Sequence, residues 1–347
     1  MPKIATFNIL SSSYCNKETY PEYPPEALDN NKRWSKIKEI LKDMMTQEYI
    51  ICLQEVSEWY RSKLEVLVKS KGYSVIATNY DHFYSGNMGV ATLYPESLKL
   101  KDCRFIRPAN LVKKHIKEDF EIKNLDGFWG FLGYKEARVA EWYSKMSYKN
   151  NILLILSFID EKQETYSVAN YHAPCVYKCQ KSMITVTACV LKALESISGK
   201  VFLAGDFNIK PDSLAYQILT TGSMLEKLKP DSEPDTATWI RVQNSLYMDM
   251  GLIPLKENIE TLNLQGLKDA YIKSNTKLSL TTIKTKTHMY GETNEFEGCL
   301  DYIFYRDDPL SEIKPEESQV FPKDWNGELL PSLGWPSDHR MVAITFS

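Results

Sequence analysis

A chain of 347 residues with 42 Lys and Arg against 45 Asp and Glu carries a net charge of −3, which excludes a binder that advertises nucleic acid by bulk basicity. Hydrophobic residues at 43% and charged residues at 25% exclude a disordered polymer and fit a globular chain with a large buried core. The longest apolar stretch, Ile152 to Ile159, falls far short of the ~20 residues a membrane helix needs, and no signal-peptide pattern opens the sequence, so a cytoplasmic or nuclear chain without membrane insertion is expected.

In chain order, the opening strand Ile4-Ala-Thr-Phe-Asn8 ends in a polar residue. Trp34, Ile37, Ile40, Leu41, Met44 and Met45 recur at the one-sided spacing of an amphipathic helix, which feeds a strand over Tyr49–Leu53 and the polar pair Gln54-Glu55. Trp59, Tyr60, Leu64, Leu67 and Val68 predict a second helix stopping at Gly72, followed by strands over Tyr73–Ala77 and Gly89–Tyr94. Residues 95–148, rich in Lys and aromatics, show no regular period and read as an irregular insertion over one end of the sheet. Strands over Ile152–Ile159 and Tyr166–Tyr171 pair around a turn at Asp160–Glu164. A helix from about Gln180 to Ser196 leads to the strand Lys200–Ala204 and then to Gly205-Asp206-Phe207-Asn208. Strands over Cys299–Tyr305 and Met341–Phe346 complete a mixed α/β pattern with helices outside sheets. Length alone, at roughly 100–200 residues per domain, suggests two domains. Candidate site residues run from Asn8 to His339 with no linker between, however, so 1–347 reads as a single catalytic domain.

The polar residues gather at strand ends, where α/β chains bind ligands. Hydrolysis of a phosphodiester requires neutralising the phosphate, activating a water and assisting the leaving oxygen. Glu55 offers the hard oxygen that Mg²⁺ prefers, or alternatively caps the following helix. Asp206 and Asn208, two apart, share one face of an extended backbone, and Asn8 adds a neutral donor. Ser337-Asp338-His339 supplies an imidazole that a carboxylate, Asp301 among them, can orient. His172 is a second imidazole that can bond a phosphate oxygen. His172, Cys175 and Cys179 also admit a zinc reading, but no fourth ligand stands at finger-like spacing. Seven cysteines, an odd number, with Cys52 and Cys189 in apolar segments, suggest reduced thiols. Lys99, Lys101, Arg104, Arg107, Lys113, Lys114, His115 and Lys117 either meet a phosphate backbone or form a solvated face. Tyr80, Phe83, Tyr84, Phe128, Trp129 and Phe131 offer rings for base stacking or simply for a core.

Taken in order, Thr6-Phe-Asn8, Gln54-Glu55, Asn170-Tyr-His172, Gly205-Asp-Phe-Asn208, Leu300-Asp-Tyr-Ile303 and Ser337-Asp-His339 resemble the endonuclease/exonuclease/phosphatase superfamily across nearly the whole chain. The resemblance implies a four-layer α/β sandwich, two packed mixed β-sheets flanked by helices. It implies Glu55 as the main Mg²⁺ ligand, with Asn8 contacting metal-bound water or phosphate, Asp338 helping with the metal, and Mn²⁺ as a substitute ion. Asp206 would position or deprotonate the attacking water, and Asn208 would orient water and phosphate. Asp301 would pair with His339, and His172 and His339 would stabilise the transition state. Arg138 would either touch phosphate or pair with Glu136 or Glu141.

Abasic-site endonucleases of this superfamily usually carry an acidic residue where this chain has Leu10 and a Tyr where it has His172. Pro211–Tyr216, Leu267-Lys-Asp-Ala-Tyr271 and Phe296–Tyr305 look instead like the branch of deadenylases, nocturnin, Angel and 2′-phosphodiesterases. The expectation is a Mg²⁺-dependent 3′ to 5′ exoribonuclease acting on single-stranded RNA. Alternatives are a DNA-processing phosphodiesterase such as one removing 5′-tyrosyl adducts, a phospholipid or inositol-phosphate hydrolase, and an inactive RNA-binding relative.

Overall fold

The computed structural model describes residues 2–80, 87–116, 120–124, 135–139, 141–159, 163, 165–176, 179–224, 253–273, 282–289, 292–307 and 313–347. From the amino terminus run β1 (Lys3–Asn8), α1 (Pro25–Leu28), α2 (Asn30–Thr46), β2 (Ile50–Val56), α3 (Glu58–Lys69), β3 (Tyr73–Asn79) and β4 (Gly89–Pro95). Then come β5 (Lys99–Ile106), α4 (Pro108–His115), β6 (Phe120–Asn124), β7 (Lys135–Val139), α5 (Glu141–Ser147), β8 (Leu153–Ile159) and β9 (Thr165–His172). The remainder comprises α6 (Gln180–Leu194), β10 (Lys200–Asp206), α7 (Leu214–Thr221), α8 (Ile253–Glu260), β11 (Lys268–Asp269) and α9 (Ala270–Lys273), then β12 (Ile283–Met289), β13 (Glu292–Gly298), β14 (Asp301–Arg306), β15 (Pro315–Phe321) and β16 (Met341–Phe346).

Two six-stranded mixed sheets result, ordered β15-β16-β1-β2-β4-β3 and β11-β14-β10-β9-β8-β5. β1 lies between β2, parallel, and β16, antiparallel, so the two ends of the chain are neighbours. Period-two alternation assigns the faces. Ile4, Ile50, Cys52 and Val90 of the first sheet meet Leu154, Leu156, Val168, Phe202, Ala204 and Ile303 of the second, all buried. The alternate residues Ala5, Phe7, Ile51 and Leu53 face outward onto Ile37, Leu41, Met44, Tyr60 and Leu64 of α2 and α3. On the other side Leu153, Ile155, Val201 and Leu203 face α6 and α7. Each large apolar side chain enclosed this way contributes roughly 1.5–3 kcal/mol of burial. The fold is the four-layer α/β sandwich, helices outside two packed sheets.

The described part of residues 95–148 departs from the expected irregular insertion. β5 forms the edge of the second sheet and pairs with β8, and α4 packs its Val112 into the outer core. β5 is an edge strand with one wet face, whose charges blur its alternation in the sequence, and such charges also discourage pairing with other chains. Lys99, Lys101 and Arg104 of the basic run are those edge charges. Arg104 pairs with Asp102 at 2.6 Å, Arg107 donates to the Lys149 carbonyl at 2.8 Å, and Lys113 lies over the Tyr148 ring at 4.2 Å. Lys117, the turn at 160–162 and 164, and the aromatics Phe83, Tyr84, Phe128, Trp129 and Phe131 fall outside the described residues.

Candidate active site

The alternation that builds the core also builds the site. Continuing the inward-facing positions to the strand ends gives Asn8 after Ile4 and Thr6, His172 after Val168 and Asn170, and Asp206 after Phe202 and Ala204. Asp206 stands opposite His172 of β9 on one side and opposite Asp301 of β14 on the other, so three strands deliver one row.

Asp206 is 2% exposed and is the hub. Its Oδ2 accepts from Asn8 Nδ2 at 3.0 Å, while Nε2 of His172 lies 3.5 Å away and Nε2 of His339 3.7 Å away. Its Oδ1 accepts the Asn208 backbone N–H at 3.0 Å. Asn8 Nδ2 also donates to Glu55 Oε1 at 3.0 Å, so one carboxamide orients two carboxylates belonging to different sheets. Glu55 reaches this point through a break in β2: the register with β4 shifts between Gln54 and Val56, and Glu55 sits at φ +56°. A left-handed non-glycine residue costs roughly 1–2 kcal/mol, and the return is a side chain aimed at the site instead of along the alternation. The Ser11 backbone N–H completes the grip on Glu55 Oε2 at 2.9 Å.

Asn208 corrects the extended-backbone expectation. β10 ends at Asp206, Asn208 adopts φ +52°, and its Nδ2 donates to the Ala173 carbonyl at 2.9 Å. It reaches the site by a turn, not by sharing a strand face with Asp206.

His339 Nδ1 meets Asp301 Oδ2 at 2.8 Å. Ser337 sets the approach: its hydroxyl donates to the Asn8 carbonyl at 2.6 Å and accepts the His339 N–H at 3.1 Å. Burial pulls the His339 imidazole down, but the carboxylates of Asp301, Asp206 and Asp338 outweigh it and hold the imidazolium well above the usual histidine value. Burial raises Asp301, against the pull of the neighbouring His339. Burial is also the largest influence on Asp338 and raises it; His339, the Tyr20 hydroxyl and Arg33 pull it back, and Glu55 pushes it up further.

The site therefore gathers Glu55, Asp206, Asp301 and Asp338 around two imidazoles. Atoms of Asp206, Asp301 and His339 lie within 4.8 Å of one another. Among the described residues, the basic side chains that meet Asp206 and Asp301 are the two imidazoles. This surplus of hard, negative oxygen donors fits a divalent cation of the Mg²⁺ type. Zinc at His172, Cys175 and Cys179 does not fit: among the described residues these three do not bring their ligand atoms together, and His172 is committed to Asp206 and Tyr80. Arg138 lies on β7 opposite Glu121, and its side chain is outside the described residues.

Three residues support the site through contacts that the sequence does not announce. Tyr80, 7% exposed, places its hydroxyl 2.5 Å from His172 Nδ1, which removes it from the aromatics free to stack on a base. Tyr20 donates to Asp338 Oδ2 at 3.0 Å. Arg33, 1% exposed, donates to the carbonyls of Ile9, Leu10 and Pro336 and so ties the loops after β1 and before β16 together. Each contact joins residues far apart in sequence, and no local motif marks them. Tyr216 and Asp269, in segments that resemble the deadenylase branch, bond each other at 2.8 Å inside the core and not in the site.

The chain matches the profile of the Endonuclease/Exonuclease/phosphatase family over residues 5–339. It is 24% identical to carbon catabolite repressor protein 4 homolog 1 of Arabidopsis thaliana over 99% of its own length and 57% of that relative's. It is likewise 24% identical to a probable CCR4-Not complex 3′-5′-exoribonuclease subunit Ccr4 of Vairimorpha ceranae, covering 98% of this chain and 63% of that one. The chain thus spans somewhat over half the length of these curated relatives. Its fold is similar to the crystal structure of ANGEL2, a 2′,3′-cyclic phosphatase solved with adenosine-2′,3′-vanadate, at TM-score 0.64 and 16% identity, over 99% of this chain and 94% of that one. Among the described residues no helix is long and apolar enough to cross a membrane. With a matching profile over nearly its whole length and the fold to go with it, the chain belongs to the endonuclease/exonuclease/phosphatase family, hydrolases of phosphate ester bonds.

Proposed function

We propose that the chain is a Mg²⁺-dependent 3′ to 5′ exoribonuclease of deadenylase type acting on single-stranded RNA, with 1–347 working as one catalytic unit. The observation that carries this reading is the convergence of Asn8, His172 and His339 on Asp206 Oδ2. RNA as substrate is supported by the exoribonuclease and cyclic-phosphatase relatives, whose names both concern RNA-type termini.

Asp206, fixed on both oxygens, positions the attacking water and takes its proton. The water oxygen bonds to phosphorus, the bond from phosphorus to the 3′-oxygen of the preceding nucleotide breaks, that oxygen takes a proton from solvent to become the new 3′-hydroxyl, and a 5′-nucleotide leaves. The His339 imidazolium, held by Asp301, donates to a non-bridging phosphate oxygen as negative charge gathers there. His172 donates from the other side, and Asn8 and Asn208 keep Asp206 from rotating. A divalent cation held by Glu55, Asp338 and Asn8 would neutralise the phosphate and the departing oxygen.

The test is cleavage of a 5′-labelled single-stranded RNA ending in an adenosine run, with Mg²⁺ or chelator. A descending ladder that needs Mg²⁺ and is lost in Asp206→Asn is expected. Intact RNA in both lanes would sink the exoribonuclease reading. A companion RNA ending in a 2′,3′-cyclic phosphate examines the second reading, which the likeness to ANGEL2 favours: removal of the cyclic phosphate without shortening would replace the first.

A further inference from the structure

Two imidazoles face the same oxygen of Asp206, and they are held by different chemistry. His339 Nδ1 meets the carboxylate of Asp301, whereas His172 Nδ1 meets the phenol of Tyr80 at 2.5 Å. Tyr80 follows β3 directly, and its backbone N–H donates to the Met88 carbonyl at 3.1 Å, so its side chain crosses from the first sheet to the second. The two rings meet at 75° with centroids 5.9 Å apart, so the contact is made by the hydroxyl and not by stacking.

The backbone of His172 is fixed independently of Tyr80. It stands opposite Asp206 in the β9–β10 register, and Asn151 Nδ2 donates to its carbonyl at 2.8 Å. What this leaves undetermined is the ring: its rotation and which nitrogen carries the proton. Nε2 faces Asp206 Oδ2, an acceptor, so the proton of a singly protonated ring belongs on Nε2, and Nδ1 then accepts from the Tyr80 hydroxyl. Without that hydroxyl, Nδ1 becomes a buried acceptor with no donor. The other tautomer, or a flipped ring with Nε2 turned away, then competes.

We propose that Tyr80 is a positioning residue of the reaction: its hydroxyl fixes His172 in the tautomer and rotation that point Nε2–H at Asp206 and at the phosphate beside it. The proposal rests on the phosphodiesterase reading of the Asp206 site but not on RNA as substrate. Tyr80 acts through His172, in the place that Asp301 occupies for His339.

The test uses the full chain with Mg²⁺ and bis-p-nitrophenyl phosphate, a plain phosphodiester, together with ¹⁵N NMR of histidine-labelled protein. Tyr80→Phe keeps the ring and removes one oxygen. Its kcat is expected to fall about 10-fold, a fraction of the roughly 10²–10⁴-fold that a positioned proton-transfer group supplies, with little change in KM. The His172 nitrogen shifts are expected to leave the Nε2–H pattern. In a His172→Ala background the same change is expected to cost nothing further. An unchanged kcat, unchanged His172 shifts, or an equal loss in the His172→Ala background would each overturn the proposal. A wild-type chain inert toward the diester would instead fell the phosphodiesterase reading, with the catalytic half of the proposal, whereas unchanged shifts in an active enzyme leave that reading standing.

Discussion

Replacing Arg33 by Met examines how the loops that carry the site are held. The guanidinium is 1% exposed, and its Nε donates to the Pro336 carbonyl at 2.7 Å and its Nη2 to those of Ile9 and Leu10 at 2.7 and 2.6 Å. Nη1 donates to Asn30 Oδ1 at 2.9 Å. A buried ion pair exchanged whole for apolar residues is often neutral, because both charges leave together. Here the acceptors are backbone carbonyls and stay behind. Each buried carbonyl stripped of its donor costs about 1–3 kcal/mol. Three of them, with water regaining one, amount to about 2–6 kcal/mol. At roughly 2 °C per kcal/mol for a large domain, the midpoint should fall by about 4–12 °C. Arg33→Lys should recover part of this, since an ammonium has donors but no planar fork. Urea unfolding followed by circular dichroism measures the loss, with a constant slope confirming that stability and not cooperativity has changed. A loss under about 1 kcal/mol in Arg33→Met would refute the clamp, since it would mean the three carbonyls find other donors at no cost.

Gly205→Ala places a Cβ 1.8 Å from the Tyr171 carbonyl oxygen, on the backbone of β9, and neither strand has a side chain that can yield; a loss of roughly 3 kcal/mol or more is expected in urea unfolding. Glu55→Gln turns one amide N–H₂ toward a donor, either Asn8 Nδ2 or the Ser11 N–H, so kcat should fall about 10²-fold or more. The wild-type chain should gain about 2.7 kcal/mol at 100 times the Mg²⁺ dissociation constant, lose it to chelator in a thermal melt, and the variant should show no such gain. Burial raises the carboxyl of Asp269 above its ordinary 3.8, against the hydrogen bond from Tyr216. The folded state therefore binds the proton more tightly, so this contribution is fully present below about pH 4 and is lost as pH rises through the folded value. Against Asp269→Asn, wild-type stability should decline over that window by at most about 1.36 kcal/mol per pH unit in urea titrations, then level off.

The sequence made the strands and the hub legible for the same reason. Alternation in Ile4-Ala-Thr-Phe-Asn8 and Lys200–Asp206 carries the inward face to its polar end, so locating the strands located Asn8 and Asp206. Pairing of Asp301 with His339, expected from resemblance, is met at 2.8 Å. What escaped is geometry that depends on φ, and contacts distant in sequence. Glu55 and Asn208 are named by the motifs, but the left-handed backbone that aims them is announced by no side-chain period. Tyr80, Tyr20 and Arg33 act across separations of 92, 318 and 303 residues. β5 was hidden by its own edge charges.

The placement of the site between two sheets explains why so much of the inter-sheet layer near it is polar. Two apolar faces attract each other without fixing a register, and methyl groups tolerate a slide of an ångström that a reacting phosphate does not. The hub requires Asn8 of one sheet to lie 3.0 Å from Asp206 of the other. Next to it, Gln54 Nε2 donates across the gap to Asn170 Oδ1 at 2.9 Å, and Asn170 Nδ2 donates to the Leu53 and Ala91 carbonyls at 3.2 and 3.0 Å. Tyr80 makes the same crossing to His172, and at the far side of the layer Tyr271 donates to the Gln319 carbonyl at 2.8 Å. These groups are buried, and their desolvation is offset by hydrogen bonds that have a direction. The apolar pairs Ile4, Phe202 and their neighbours hold the sheets together; the amides and phenols between them set where one sheet lies on the other. In such a molecule the geometry at Asp206 is a property of the whole interface, and Asn170, which touches no reacting atom, belongs to it as much as Asn8 does.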